Sequence, residues 1–303
     1  MIVISFLSIT LVLAILSIRA LYQSVKYFPL IGWSRLGLGI SLSGFVFLYG
    51  AWIYISAYGK YIIPGLAIIV IGSGLLRRPA RKSLIERRES KALNYIISGT
   101  LLVLCVLYFT GTETNRSVVR LSFPLHPGRY FVLQGGRGLP SNLFHYNSRR
   151  AAYAMDIVAL DTWGRRANKV FSTKLKDYFI YGDTIYAPCD GKVLRAVSDN
   201  PDNIPPRRAR GPHNLNGVLL QGEEATVYLG HLQQGGVFVA EGQELKAGQP
   251  IGLVGNSGMS LEPHLHIQAH ANSRDGAPWY SQPQLEIQFF DRAYLLFEQI
   301  KAP

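Results

Sequence analysis

The seven histidines of this 303-residue chain, His126, His145, His213, His231, His264, His266 and His270, all lie beyond residue 112. Imidazole exchanges protons near neutral pH and binds borderline metals such as zinc, so their grouping marks where chemistry would sit. The tightest group is Pro263-His264-Leu265-His266. On a strand, residues two apart share a face, so His264 and His266 would point together and Leu265 the other way. That geometry suits one metal ligand beside one acid/base group, and suits two surface histidines equally well. Gly230-His231-Leu232 ends another strand, and Ala154-Met155-Asp156-Ile157 sets a carboxylate among apolar neighbours. Such a carboxylate is expensive to bury unless it is paired or binds a cation. His145 adds a further nitrogen just upstream. Two imidazoles and one carboxylate serve zinc well and leave its fourth position open for water, as in a catalytic site.

The elements that must position these groups are strands. From Tyr130 onward, short β-branched or alternating runs are separated by Gly, Pro, Asn and Asp. Segments 153–160, 191–197, 217–221, 225–232, 252–255 and 264–269 read as strands, and 293–300 as a short terminal helix. The pattern predicts a mainly antiparallel β domain over 112–303. The basic stretch 201–212 reads as a surface loop in which Arg207, Arg208 and Arg210 would attract carboxylates or simply be solvated. Gly242, Gly248, Gly252, Gly255 and Gly258 suit tight turns and close strand approach.

These residues resemble the lysostaphin-type zinc metallopeptidases, peptidoglycan endopeptidases with a Gly-rich antiparallel β fold. The resemblance covers roughly 132–269. It rests on Gly242-Gln243-Glu244-Leu245-Lys246-Ala247-Gly248-Gln249-Pro250-Ile251-Gly252-Leu253-Val254-Gly255-Asn256-Ser257-Gly258, on Glu262-Pro263-His264-Leu265-His266, and on Ala187-Pro188-Cys189-Asp190-Gly191-Lys192-Val193. It implies one zinc ion held by His145, Asp156 and His266, with His231 and His264 as the catalytic histidines. It also implies a peptidoglycan peptide as substrate. The family's common form has three residues between its first histidine and the aspartate, whereas ten intervene here, so His126 stands as the substitute for His145. His213 and His270 read as surface or rim residues, and Glu262 as a loop residue rather than a general base.

The first 111 residues differ in kind. They carry 11 Lys/Arg against Glu86 and Glu89, out of a net charge of +12 for the whole chain. Four apolar stretches, 2–17, 36–58, 61–76 and 93–110, are each about long enough to cross a hydrocarbon core of roughly 30 Å as a helix. The expectation is an α-helical membrane bundle of about four spans. Arg77, Arg78, Arg81, Lys82, Arg87, Arg88 and Lys91 crowd loop 77–91, which should stay cytoplasmic. The last span then delivers 112–303 to the periplasm or cell exterior, and the N-terminus lies outside. This predicts a multi-pass protein of the cell (inner) membrane. The absence of ionisable residues from the apolar centres argues against a transporter and for an anchor, with a membrane-protein partner open to the helices. Gly37, Gly39 and Gly44 permit close packing.

Several classes are disfavoured. The basic excess lies beside apolar segments, where it sets orientation rather than binding nucleic acid. No P-loop spacing and no His-Glu-x-x-His helix occurs. Cys105 and Cys189 read as small buried hydrophobes, not a pair. Two other readings remain: a metal-free regulatory module that controls other wall hydrolases, and a lipoyl-type hairpin, in which the histidines would have no role.

Overall fold

The computed structural model describes residues 2–27, 32–76, 89–114, 117–146, 151–207, 211–273 and 276–303. Most of loop 77–91, and Arg208 and Arg210, lie outside the described residues. The chain divides into two compact units, Met1–Thr110 and Gly111–Pro303.

The first unit holds helices α1 (Ile2–Lys26), α2 (Gly32–Tyr49), α3 (Ile62–Leu75) and α4 (Glu89–Thr110). Among the described residues, three helical segments are long and apolar enough to cross a membrane: Val3–Lys26, Ala57–Gly74 and Lys91–Thr110. The second expected span, 36–58, is broken. Its helix ends at Tyr49, and short 3-10 turns, Trp52–Tyr54 and Ala57–Tyr61, follow. At Gly50 the backbone N–H still makes the helical bond to Val46 O (3.0 Å), but the Trp52 indole folds back onto the same carbonyl (2.9 Å), into space that a Cβ on Gly50 would close. The α2 helix packs through small residues: a Cβ on Gly39 would come within 2.6 Å of the Leu21 side chain. The Ser17 hydroxyl donates to Gly39 O at 3.0 Å across the same contact.

The second unit is mainly β. In chain order it holds β1 (Val118–Arg120), β2 (Gly128–Gln134), the single-turn helix α5 (Leu143–Tyr146), β3 (Met155–Ala159), β4 (Thr184–Tyr186) and β5 (Gly191–Val197). Then come β6 (Gly217–Gln221), β7 (Ala225–Gly230), β8 (Leu232–Val237), β9 (Glu244–Leu245), β10 (Pro250–Val254) and β11 (Leu265–Ala271). The chain closes with β12 (Gln284–Phe289), β13 (Arg292–Ala293) and β14 (Gln299–Ala302). Among the described residues, one sheet runs β14-β2-β3-β11-β7-β6-β5-β9, with β12 on β11 and β1, and a three-stranded sheet runs β4-β10-β8. All pairs are antiparallel except β1 with β12.

Alternation along β3 and β11 builds core and site together. Met155 and Ile157 face Ile267 and Leu265 in register, and all four are buried. Each such side chain stabilises by about 1.5–3 kcal/mol, and truncating Ile157 to Ala would cost about 2–5 kcal/mol. The intervening residues, Asp156 and His266, are paired in the same register and point to the opposite face.

The expected terminal helix over 293–300 is absent. The segment turns between β13 and β14, with Phe297 at φ 60, a conformation that no right-handed helix accommodates. The segment 201–212 is not wholly a surface loop either. Asn203 is fully buried and its side-chain amide donates to Asn256 O (3.0 Å) and Gly258 O (2.6 Å).

Candidate metal and acid/base site

The site is built on adjacent strands. Asp156 on β3 pairs with His266 on β11, which pairs in turn with Gly230 on β7. Glycine at 230 leaves room for the Tyr228 ring, whose Cε1 a Cβ at that position would meet at 3.0 Å. His145 reaches in from α5, and the three side chains bring their ligand atoms within 4.8 Å of one another. His145 Nε2 lies 3.2 Å from Asp156 Oδ2, and His266 Nδ1 lies 3.0 Å from Asp156 Oδ1. Ten intervening residues therefore do not keep His145 from the aspartate. His126, the substitute, is exposed, and its ring is hydrogen-bonded to the Tyr186 hydroxyl instead.

The neighbours fix which nitrogen of His145 is available. Asn142 is fully buried and its amide nitrogen donates to Ala152 O (3.0 Å) and Ala154 O (2.9 Å). Its Oδ1 must then accept from His145 Nδ1–H at 2.9 Å, so Nε2 is the nitrogen that faces the aspartate, where it donates to the carboxylate if it carries a proton and offers its lone pair to a cation if it does not. Such a partner sets ring orientation and tautomer in metal-binding histidines.

His231 and His264 stand beside this group, ring centroids 4.5 Å apart and His231 5.8 Å from His266. His264 precedes β11 rather than starting it, yet it still faces the aspartate, Nε2 3.4 Å from Oδ1. His231 sits between β7 and β8 at φ 64, in the left-handed region that a non-glycine residue adopts at a cost. Both have Nδ1 tied to a backbone carbonyl: His231 to Ser257 O (2.7 Å) and His264 to Glu262 O (2.8 Å). A carbonyl only accepts, so in the neutral ring each Nδ1 carries the hydrogen and each Nε2 is left to exchange a proton.

The loop bearing those carbonyls is itself held. Ser257 Oγ donates to Leu232 O (2.8 Å) and accepts from Asn216 N (3.0 Å). Gly255 is required here, since a Cβ would meet Gln233 N at 2.3 Å. Glu262 lies in the loop before β11, as expected, but is buried there, and its carboxylate takes two 2.7 Å hydrogen bonds from Arg166. That pairing removes it from any role as a base.

Electrostatics separate the groups. Burial opposes a charge on Asp156, but the His145 and His264 rings beside it prevail and hold its carboxyl well below the usual range. Burial pushes the His231 ring well below its ordinary value, and the nearby His264 and His266 rings add to this. Burial also opposes a charge on His264, but the Asp156 carboxylate outweighs it and raises its pKa.

His213 is exposed, as expected, whereas His270 corrects the sequence reading: it is fully buried and hydrogen-bonded. The reading also missed Asn142, Arg166, Asn203 and Asn216. Only Asn142, three residues before His145 and so one helical turn away, left a local signal.

Residues 177–278 match peptidase family M23. The matched segment contains His231, His264 and His266, while His145 and Asp156 lie before it. An uncharacterized metalloprotease of Haemophilus influenzae is 35% identical over 94 residues, 31% of this chain and 17% of that protein. The chain therefore spans well under two thirds of that relative's length. Among solved structures, similarity extends to the catalytic domain of the antimicrobial peptidase lysostaphin from Staphylococcus simulans, at 20% identity and TM-score 0.28, covering 52% of this chain and 86% of that one. It extends also to the catalytic domain of the prophage-encoded M23 protein EnpA from Enterococcus faecalis, at 21% identity and TM-score 0.31, covering 51% and 91%. At those scores neither structure bears on the assignment, which rests on the family match. Within the β unit, residues 177–278 therefore carry the M23 peptidase signature, which supports kinship with the lysostaphin-type metallopeptidases. That match supports a hydrolase of peptide bonds.

Proposed function

We propose that the chain is a membrane-anchored zinc endopeptidase that cleaves peptide bonds outside the cytoplasm, in the stems or cross-links of peptidoglycan. The observation that carries this reading is the convergence of one ligand atom each from His145, Asp156 and His266 within 4.8 Å, with His231 and His264 beside them. Two imidazoles and a carboxylate are a donor set suited to one zinc ion with a position left open.

When bound, zinc supplies Lewis acidity that activates water and polarises the scissile carbonyl. The chain's own residues handle the protons. His231 or His264 takes the proton of the attacking water at Nε2, and the other stabilises charge on the carbonyl oxygen or protonates the departing amine. Their Nδ1–H groups, held by Ser257 O and Glu262 O, keep both rings oriented through the cycle. The apolar helices of the first unit support anchoring, and the basic residues of 77–91 support an outward-facing second unit.

The test is release of new amino groups from purified peptidoglycan by the full chain in detergent. Hydrolysis that a chelator abolishes and zinc restores supports the proposal. Peptidoglycan binding without hydrolysis in the zinc-loaded protein would favour a regulatory module instead.

A further inference from the structure

On β11, three buried side chains follow one another on the face that carries the site: His266, Gln268 and His270. Their hydrogen bonds have a direction that can be read from its far end. His270 Nδ1 lies 2.9 Å from Gln282 O, and a carbonyl only accepts, so that nitrogen carries the hydrogen. In the neutral ring His270 Nε2 is then an acceptor, and Gln268 Nε2 donates to it at 3.2 Å. This turns Gln268 Oε1 towards His266, where it accepts from Nε2–H at 2.9 Å. The lone pair of His266 is thereby left on Nδ1, the nitrogen that faces Asp156 at 3.0 Å.

The relay opposes a competing arrangement. Asp156 by itself favours a hydrogen on His266 Nδ1, which would donate to the carboxylate and leave no lone pair there for a metal. Were the Gln268 amide reversed, its nitrogen would donate to His266 Nε2 and stabilise that unproductive tautomer. We propose that Gln268 and His270 are positioning residues that fix His266 in its metal-binding tautomer, His270 acting only by setting the orientation of the Gln268 amide. Trp279 holds His270 in turn, edge-on with ring centroids 5.1 Å apart. The inference rests on the metal-site reading above.

Zinc affinity of the full chain in detergent, measured by competition with a chromogenic chelator after stripping, tests it. Gln268→Met keeps the shape of the side chain and removes both polar atoms, and His270→Phe removes the acceptor that orients the amide. Each should weaken zinc binding by roughly 10- to 100-fold. Gln268→Glu should bind zinc like the wild type, because a carboxylate only accepts and needs no orienting partner. In that background His270→Phe should cost little further affinity. Wild-type affinity in Gln268→Met, or an undiminished loss from His270→Phe in the Glu background, would overturn the relay. If His270→Phe fails to fold by thermal unfolding, the comparison of Gln268→Met with Gln268→Glu decides, and equal affinities overturn it. A wild-type chain that binds no zinc refutes the metal-site reading itself, which is a distinguishable result.

Discussion

Arg166 and Glu262, 96 positions apart in the chain, form a buried two-point ion pair with both hydrogen bonds at 2.7 Å. Their side chains are 3% and 8% exposed, so neither charge has water to fall back on. Because the Glu262 carbonyl holds His264 Nδ1 at 2.8 Å, this pair anchors the loop that aims a proton-transferring ring.

Arg166→Met should therefore destabilise the β unit by about 3–5 kcal/mol, since it strands a buried carboxylate. The double variant Arg166→Met/Glu262→Leu should recover most of that loss. Urea denaturation followed by tryptophan fluorescence measures both. A single variant as stable as the wild type would show that the pair is not sealed from solvent.

How much of this was legible in the sequence follows from how local each signal is. The strands 191–197 and 217–221 match β5 and β6 residue for residue, because their alternation and flanking turn residues are written within a few positions. His264, His266, His231 and Asp156 were found from short motifs, and the structure brings them together with His145. What was missed depends on distant partners. Nothing beside Arg166 announces Glu262, and nothing beside His270 announces that Gln282 O and Gln268 satisfy it. The run 293–300, expected as a short helix, is set instead by positive φ at Phe297 and by pairing of β14 with β2, neither of which is written in its local sequence. Likewise the apolar run 36–58 does not register the turn at Gly50, which depends on Trp52 folding back onto Val46 O.

A pH dependence of stability should come from Asp183. Burial pushes its carboxyl up to about 6, with His126 pulling the other way. A raised folded-state pKa means the fold prefers the protonated form, so the contribution is fully present below about pH 4 and lost as pH rises through about 6. Asp183→Asn should match the wild type near pH 4 and exceed it in thermal stability above pH 6. Melting curves that stay parallel across pH 4 to 8 would rule this out.

The proposed orientation predicts that a reporter fused after Pro303 is active only outside the cytoplasm, and one inserted near Lys82 only inside. The basis is the concentration of Lys and Arg in 77–91. Labelling of the C-terminus by reagents confined to the cytoplasm would reverse the topology.

The central claim is that His145, Asp156 and His266 hold one zinc ion while His231 and His264 move protons. It is tested most directly by measuring zinc content and peptidoglycan hydrolysis together in His266→Ala, His264→Ala and His231→Ala of the full chain. Removing one of three ligands opens the site, so His266→Ala should lose both metal and activity. His264→Ala and His231→Ala should keep most of the zinc and lose turnover by about 10²- to 10⁴-fold. Full hydrolysis by a metal-free His266→Ala protein would contradict the account.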